Sequence, residues 1–174
     1  MAVLEILKHP DVRLQQVAEP VERFDAALHR FIDDLEQTRL AGPGAVGIAA
    51  PQVGEVIQLV IVDISTMKKP HPNHGHLVLI NPEIIKWKGH EVGREGCLSV
   101  PDFTGNVIRA QQIVLQAQNP QGEVQRFEMQ GFEARAVQHE LDHLEGMLFL
   151  DRLVSRRSDL FARKVFQKKA KNRG

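Results

Sequence analysis

The sequence predicts an α+β fold, with antiparallel β-sheets packed around a central helix and further helices towards the N- and C-termini. Three observations lead there. Short Val-, Ile- and Leu-rich stretches recur through the middle of the chain between Pro, Gly, Asn and Asp punctuation. A helical repeat of apolar residues precedes them, and a second one, carrying two histidines, follows. Several connections between the stretches are too short for helical crossovers, so the strands are expected to be mostly antiparallel.

The elements follow in order. Val21, Phe24, Leu28, Phe31, Ile32 and Leu35 recur at three- and four-residue steps behind Pro20, which predicts an amphipathic helix over 21–40. Residues 41–54 hold four glycines and two prolines, which suits a loop whose backbone turns sharply and comes close to something. Strands are predicted over 57–64, 77–85, 108–117 and 124–129. Between the first two lies MKKPHPNHGH; its His71, His74 and His76 sit in a Pro/Gly loop with no paired ligand elsewhere, so it reads as a solvated connector. Helices are predicted over 131–146 and 158–171. In the latter, Leu160, Phe161, Val165 and Phe166 share one face and basic residues crowd the rest, as in a solvated basic helix or a docking surface for an acidic partner such as RNA.

A chain of 174 residues with 43% hydrophobic content suits a single domain over 1–174 with a real core. Twenty-two Lys plus Arg balance 22 Asp plus Glu, so no whole-molecule field draws the protein to nucleic acid or an anionic membrane. No apolar run signals export or a membrane span. The lone cysteine, Cys97, excludes an internal disulfide and suits a reducing compartment, with cytoplasm the simplest expectation.

The chemistry concentrates at His139-Glu140-Leu141-Asp142-His143, an HExxH motif. On a helix the two imidazoles, four residues apart, project from one face and can share a tetrahedral ion, while Glu140 can reach an ion-bound water. Apolar stripes on both sides predict that this helix is buried, and two buried imidazoles beside a carboxylate are costly without a partner such as a metal. The motif is short enough to arise by chance, so context must decide. A third protein ligand is required. Downstream the chain offers Glu145, Asp151 and Asp159, the arrangement of a zincin-like endopeptidase; upstream it offers Cys97. Two other readings are a cysteine hydrolase with Cys97 as nucleophile and a non-catalytic binding module.

Three segments in order resemble peptide deformylase: Ala45-Val46-Gly47-Ile48-Ala49-Ala50-Pro51-Gln52, Glu95-Gly96-Cys97-Leu98-Ser99 and Gln138-His139-Glu140-Leu141-Asp142-His143. The family patterns are GxGLAAxQ, EGCLS and QHExDH, and the likeness extends to about Val154. Ala45 and Ile48 depart from the first pattern without removing a reacting group. The resemblance implies Cys97, His139 and His143 as ligands of one divalent metal, Fe(II) in the cell, with Zn, Ni or Co able to occupy the site. It implies a metal-bound water as nucleophile, whose pKa falls from about 15.7 towards 7. Glu140 would be general base and acid, and Gln52 with the Leu98 backbone N–H would stabilise the oxyanion.

Val46, Gly47 and Gly96 would hold the substrate backbone as a strand, and Phe132 and Ala136 are candidates to line an apolar slot for methionine. The implied substrates are N-formyl-Met nascent peptides, with formate released and a ribosome contact through the basic C-terminal helix. Arg135 is a candidate partner of Glu95 or of the substrate peptide, or is simply exposed; Arg109 is a second candidate partner of Glu95, and neither is assigned a catalytic role.

Overall fold

The computed structural model describes residues 2–163. Helix α1 spans Ala26–Ala41 and buries Leu28, Ile32 and Leu35, three of the apolar residues that predict it. It starts later than expected, at Ala26 rather than Val21. The Asn81 side chain takes both the N–H and the carbonyl of Val21, which holds that residue outside the helix, and Asp25 caps the Leu28 N–H at 3.0 Å. The glycine-rich segment is more ordered than a plain loop: β1, Gly47–Ala49, is followed by a 3-10 turn over Ala50–Val53.

Strands β2 (Leu59–Val62), β3 (Leu77–Lys88), β4 (Glu91–Cys97), β5 (Val100–Arg109), β6 (Gln112–Gln118) and β7 (Val124–Gln130) come next. Helix α2, Gly131–Leu144, follows, and then a single helical turn, α3, Arg156–Asp159, and strand β8, Leu160–Ala162. Five strands form one antiparallel sheet in the order β1-β2-β3-β6-β7, and three form another in the order β4-β5-β8. The strand expected over 108–117 is therefore two strands in different sheets. The chain changes sheet at Ala110, whose N–H and carbonyl are both held at 2.9 Å by the side chain of Gln138. An apolar run shows burial but not which sheet buries it. Strand β4, EVGREGC, has no apolar alternation and gave no signal at all.

The C-terminal expectation is corrected. Residues expected to begin a helix at 158 instead leave α3 and pair with β5, Thr104 opposite Phe161 and Gly105 opposite Leu160. The open edge of β5 offers unpaired backbone groups, and pairing with them outweighs the local helical pattern. Residues 164–171 of that expected helix lie outside the described residues.

Helix α2 sits between the sheets, and of its residues only Gly131, Phe132 and Leu141 are not buried. Val137 and Ala134 pack with Val60, Leu79 and Leu115 of the larger sheet, while Cys97, Val107 and Phe149 form a smaller core on the other side. The fold is thus α+β with the motif helix at its centre, as predicted. No helix among the described residues is long and apolar enough to cross a membrane.

Candidate metal centre and peptide cleft

Cys97 ends β4 just before the tight turn into β5, and α2 brings His139 and His143 to it, one turn apart. All three are buried, and one donor atom from each lies within 4.8 Å of the other two. Cys97 Sγ and His143 Nε2 are 3.4 Å apart. A tetrahedral zinc-sized ion, with bonds of about 2.3 Å to sulfur and about 2.0 Å to nitrogen, holds such atoms roughly 3.5 Å apart. Soft thiolate with imidazole suits zinc or iron(II). Among the described residues two buried side-chain polar atoms have no hydrogen-bond partner: Glu140 Oε1, beside the cluster, and His143 Nδ1, the ring nitrogen other than the one near Cys97. Such orphans are costly unless an ion, ligand or water is placed there. The residues therefore fit a divalent metal.

Behind the cluster lies a network of charges centred on Glu95. Its Oε1 accepts from His139 Nδ1 and Arg109 Nη2, each at 2.8 Å; its Oε2 accepts from Arg109 Nε at 2.9 Å and Arg135 Nη1 at 2.7 Å. Arg109 also reaches Asp142 Oδ2 at 2.5 Å, and Asp142 Oδ1 accepts from Arg152 Nη2 at 2.9 Å. With Nδ1–H directed at Glu95, His139 keeps Nε2 as the ring nitrogen available to an ion, which displaces the proton that the nitrogen otherwise holds. Burial would raise the Glu95 carboxyl, but Arg109 and His139 outweigh it and hold the group well below the usual carboxylate range. Both arginines are thus partners of Glu95, as the sequence suggested.

Burial pushes the Glu140 carboxyl up to about 7, against the opposing pull of His139. Burial, reinforced by repulsion from His139, lowers His143 well below its ordinary value, which keeps it in the neutral form that can ligate. Glu140 packs against Gly47: a Cβ there would stand 2.7 Å from Glu140 Oε2. Gly47→Ala is therefore expected to displace the carboxylate and lower turnover at least tenfold, since a shift of about 1 Å in a reacting group can cost 10²-fold. Steady-state kinetics beside a thermal melt separates this from unfolding.

Gln52 is fully buried, its Oε1 accepting from Ala49 N–H at 2.9 Å. Its Nε2 donates to Ser99 Oγ at 3.0 Å and makes a long 3.5 Å contact to Cys97 Sγ, so one N–H is only weakly engaged. A cleft of about 360 Å³ opens over these groups. Val46, Gly47, Gln52, Gly96, Cys97, Leu98, Phe132, Ala136, His139 and Glu140 all line it, so of the metal-ligand, catalytic and substrate-binding residues that the resemblance and the sequence suggested, His143 alone stands behind the wall. Its two sides are edge strands, β1 of the larger sheet and β4 of the smaller.

Met67 also lines the cleft, and no sequence signal marked it. The histidine loop is exposed yet pinned: Glu133 accepts from the His74 backbone N–H and pairs with its Nδ1, His76 meets Glu36, and His71 stacks on Phe132 at 5.2 Å. Of the acids downstream of α2, Asp151 takes the Leu148 N–H and Asp159 the Ser155 N–H. Among the described residues the one His/Cys/Asp/Glu group with metal-ligand spacing is Cys97, His139 and His143.

A cysteine sulfur, two imidazoles and a buried carboxylate at the base of a cleft between open strand edges define a metal-dependent hydrolase. Residues 3–159 match the polypeptide deformylase family, and relatives and solved structures agree over nearly the whole chain. The chain belongs to the polypeptide deformylase family, enzymes that remove N-formyl groups from nascent peptides. Peptide deformylase 1 of Bacillus cereus is 46% identical over 153 residues, 88% of this chain and 94% of that protein. The peptide deformylase of Syntrophobacter fumaroxidans is 42% identical over 171 residues, 98% of each. The crystal structure of peptide deformylase from Thermotoga maritima superposes with a TM-score of 0.81 at 35% identity, covering 89% of this chain and all of that one.

Proposed function

We propose that this chain, acting as one catalytic domain, hydrolyses the formyl group from the N-terminal methionine of newly synthesised polypeptides in the cytoplasm. The observation that carries the reading is the convergence of Cys97, His139 and His143 beside an unpartnered Glu140 oxygen in a cleft flanked by two open strand edges. Cys97, His139 and His143 hold one divalent ion; the mixed sulfur and imidazole donors suit iron(II) or zinc, and iron(II) in the cell is the choice that the family resemblance implies. When bound, the ion supplies Lewis acidity that favours ionisation of water and polarises a carbonyl.

The substrate lies extended in the cleft, its backbone paired with the free edges at Val46, Gly47 and Gly96, as peptides add to exposed strands elsewhere. The methionine side chain enters the apolar wall formed by Phe132 and Ala136. Glu140, ionised, accepts a proton from the attacking water as oxygen bonds to the formyl carbon. The Gln52 amide and the Leu98 N–H donate to the carbonyl oxygen as charge grows on it; one such donor is worth about 3–4 kcal/mol. Glu140 then delivers the proton to the amine nitrogen, the C–N bond breaks, and formate and a free N-terminus leave. A contact with the ribosome through the basic C-terminal segment is a further expectation, resting on residues outside those described.

The test is formate release from a formyl-Met peptide by anaerobically prepared, iron-loaded enzyme. A chelator is expected to abolish release and iron to restore it, and Cys97→Ser is expected to lower bound iron, measured by elemental analysis. Cleavage of internal peptide bonds with iron retained in Cys97→Ser would instead establish the endopeptidase reading.

A further inference from the structure

The proposed reaction gives no task to two charged residues of the cleft, Arg94 and Arg163. Gly96, Thr104 and Phe161 stand in one row across β4, β5 and β8. Arg94 is two residues from Gly96 on β4, and Arg163 is two residues from Phe161, with its backbone N–H still bonded to Asp102 O at 2.8 Å. Residues two apart on a strand share a face, so both arginines lie on the face that carries Gly96. The Arg94 guanidinium rests 3.8 Å over the Phe161 ring and bonds only to neutral groups, Asn106 Oδ1 at 3.1 Å and Thr104 Oγ1 at 3.3 Å. Arg163 Nη2 lies 2.7 Å from where a Gly96 Cβ would stand, so its side chain crosses the bare backbone of that residue.

Charge decides what these groups face. The cleft has a third guanidinium, Arg135, but Glu95 neutralises it. The two carboxylates in the lining, Glu95 and Glu140, are buried, and Glu95 is already shared by Arg109, Arg135 and His139. Asp102 stands opposite Arg163 on the same face; its backbone carbonyl takes the Arg163 N–H, and its exposed carboxylate makes no ion pair with either arginine. Among the described residues neither Arg94 nor Arg163 has an ion pair. The rim of the cleft therefore carries two guanidinium groups that have no ion pair among the described residues, in a chain whose net charge is zero.

We propose that Arg94 and Arg163 select nascent peptides bearing an acidic side chain within a few residues of the formyl-methionine. The inference rests on the deformylase reading above. A peptide paired at Gly96 advances about 3.3 Å per residue, so the side chains that follow pass the two guanidinium groups within one or two positions. A guanidinium takes a carboxylate through two parallel hydrogen bonds, which is geometry that a lysine or a neutral side chain in the peptide cannot match.

The experiment compares kcat/KM for formate release from formyl-Met peptides with Asp, Ala or Lys at the second or third position, at low and at high salt. Acidic peptides are expected to exceed neutral ones by roughly three- to tenfold at low salt, with the advantage shrinking in salt. Arg94→Gln with Arg163→Gln should flatten the ratio and Arg163→Glu should invert it towards lysine. Each ratio is taken on one preparation, so partial misfolding cancels. Equal rates for all three peptides, or a ratio unchanged in the Gln variants, overturns this proposal while leaving deformylation standing. No formate from the alanine peptide overturns the activity and this proposal with it.

Discussion

Glu140→Gln is expected to lower kcat for a formyl-Met peptide by roughly 10²- to 10⁴-fold, the usual contribution of a positioned acid/base. The substitution preserves size and leaves Cys97, His139 and His143 in place, so ion content should stay at the wild-type level. Among the described residues Glu140 Oε1 accepts no hydrogen bond, His143 Nε2 standing 3.9 Å from it, and the close approach of Gly47 fixes where the side chain lies. Without an ion, burial pushes this group up to about 7. A cation beside it favours the ionised form, so the acid limb of the loaded enzyme's kcat profile should lie below that value and vanish in the variant. A Glu140→Gln enzyme that kept more than a tenth of wild-type turnover would remove Glu140 from the reaction.

Glu95→Gln is expected to be the most damaging substitution for the fold, at about 3–5 kcal/mol, because it leaves Arg135 without its carboxylate partner and leaves Arg109 only Asp142. Both guanidinium groups are buried and cannot turn to water for replacement. His139 would also lose the acceptor that orients it, and ion affinity should fall by roughly 10- to 100-fold. The pH dependence follows from the direction of the shift. Glu95 titrates lower in the folded protein than its ordinary 4.5, so its contribution is complete above that value and lost as pH falls through the depressed folded range. Urea denaturation should show wild type weakening below about pH 4.5, whereas the variant loses this component of the decline. A difference at pH 7 of less than about 1 kcal/mol would mean that the network is not a major source of stability.

The site was more legible than the fold around it. His139, Glu140 and His143 are local: helical periodicity alone puts them on one face, and the apolar stripes beside them foretold their burial. Cys97 was legible only through resemblance, because nothing near it in the chain distinguishes a ligand from a small buried hydrophobe. Strand β4, which presents Cys97, gave no sign of itself, since an edge strand facing a cleft has no apolar alternation. The turn at Ala110 was invisible for another reason: Arg109, Gln111 and Gln112 carry no Gly, Pro, Asn or Asp to mark a break between the apolar residues on either side, and the side chain that secures the turn comes from Gln138 on α2.

By itself the sequence determined the α+β class, the buried motif helix, the first long helix and the chemistry available to the site. These depend on spacings of a few residues, within which backbone geometry is nearly fixed. Only the tertiary structure decided that Glu95 joins three cationic or imidazole partners, that β8 completes the smaller sheet where a helix was expected, and that Arg94 and Arg163 meet on one face. Each of these brings together segments 14 to 67 residues apart. Contacts at that range follow from which strand edge captures which segment, a competition settled by packing of the whole chain.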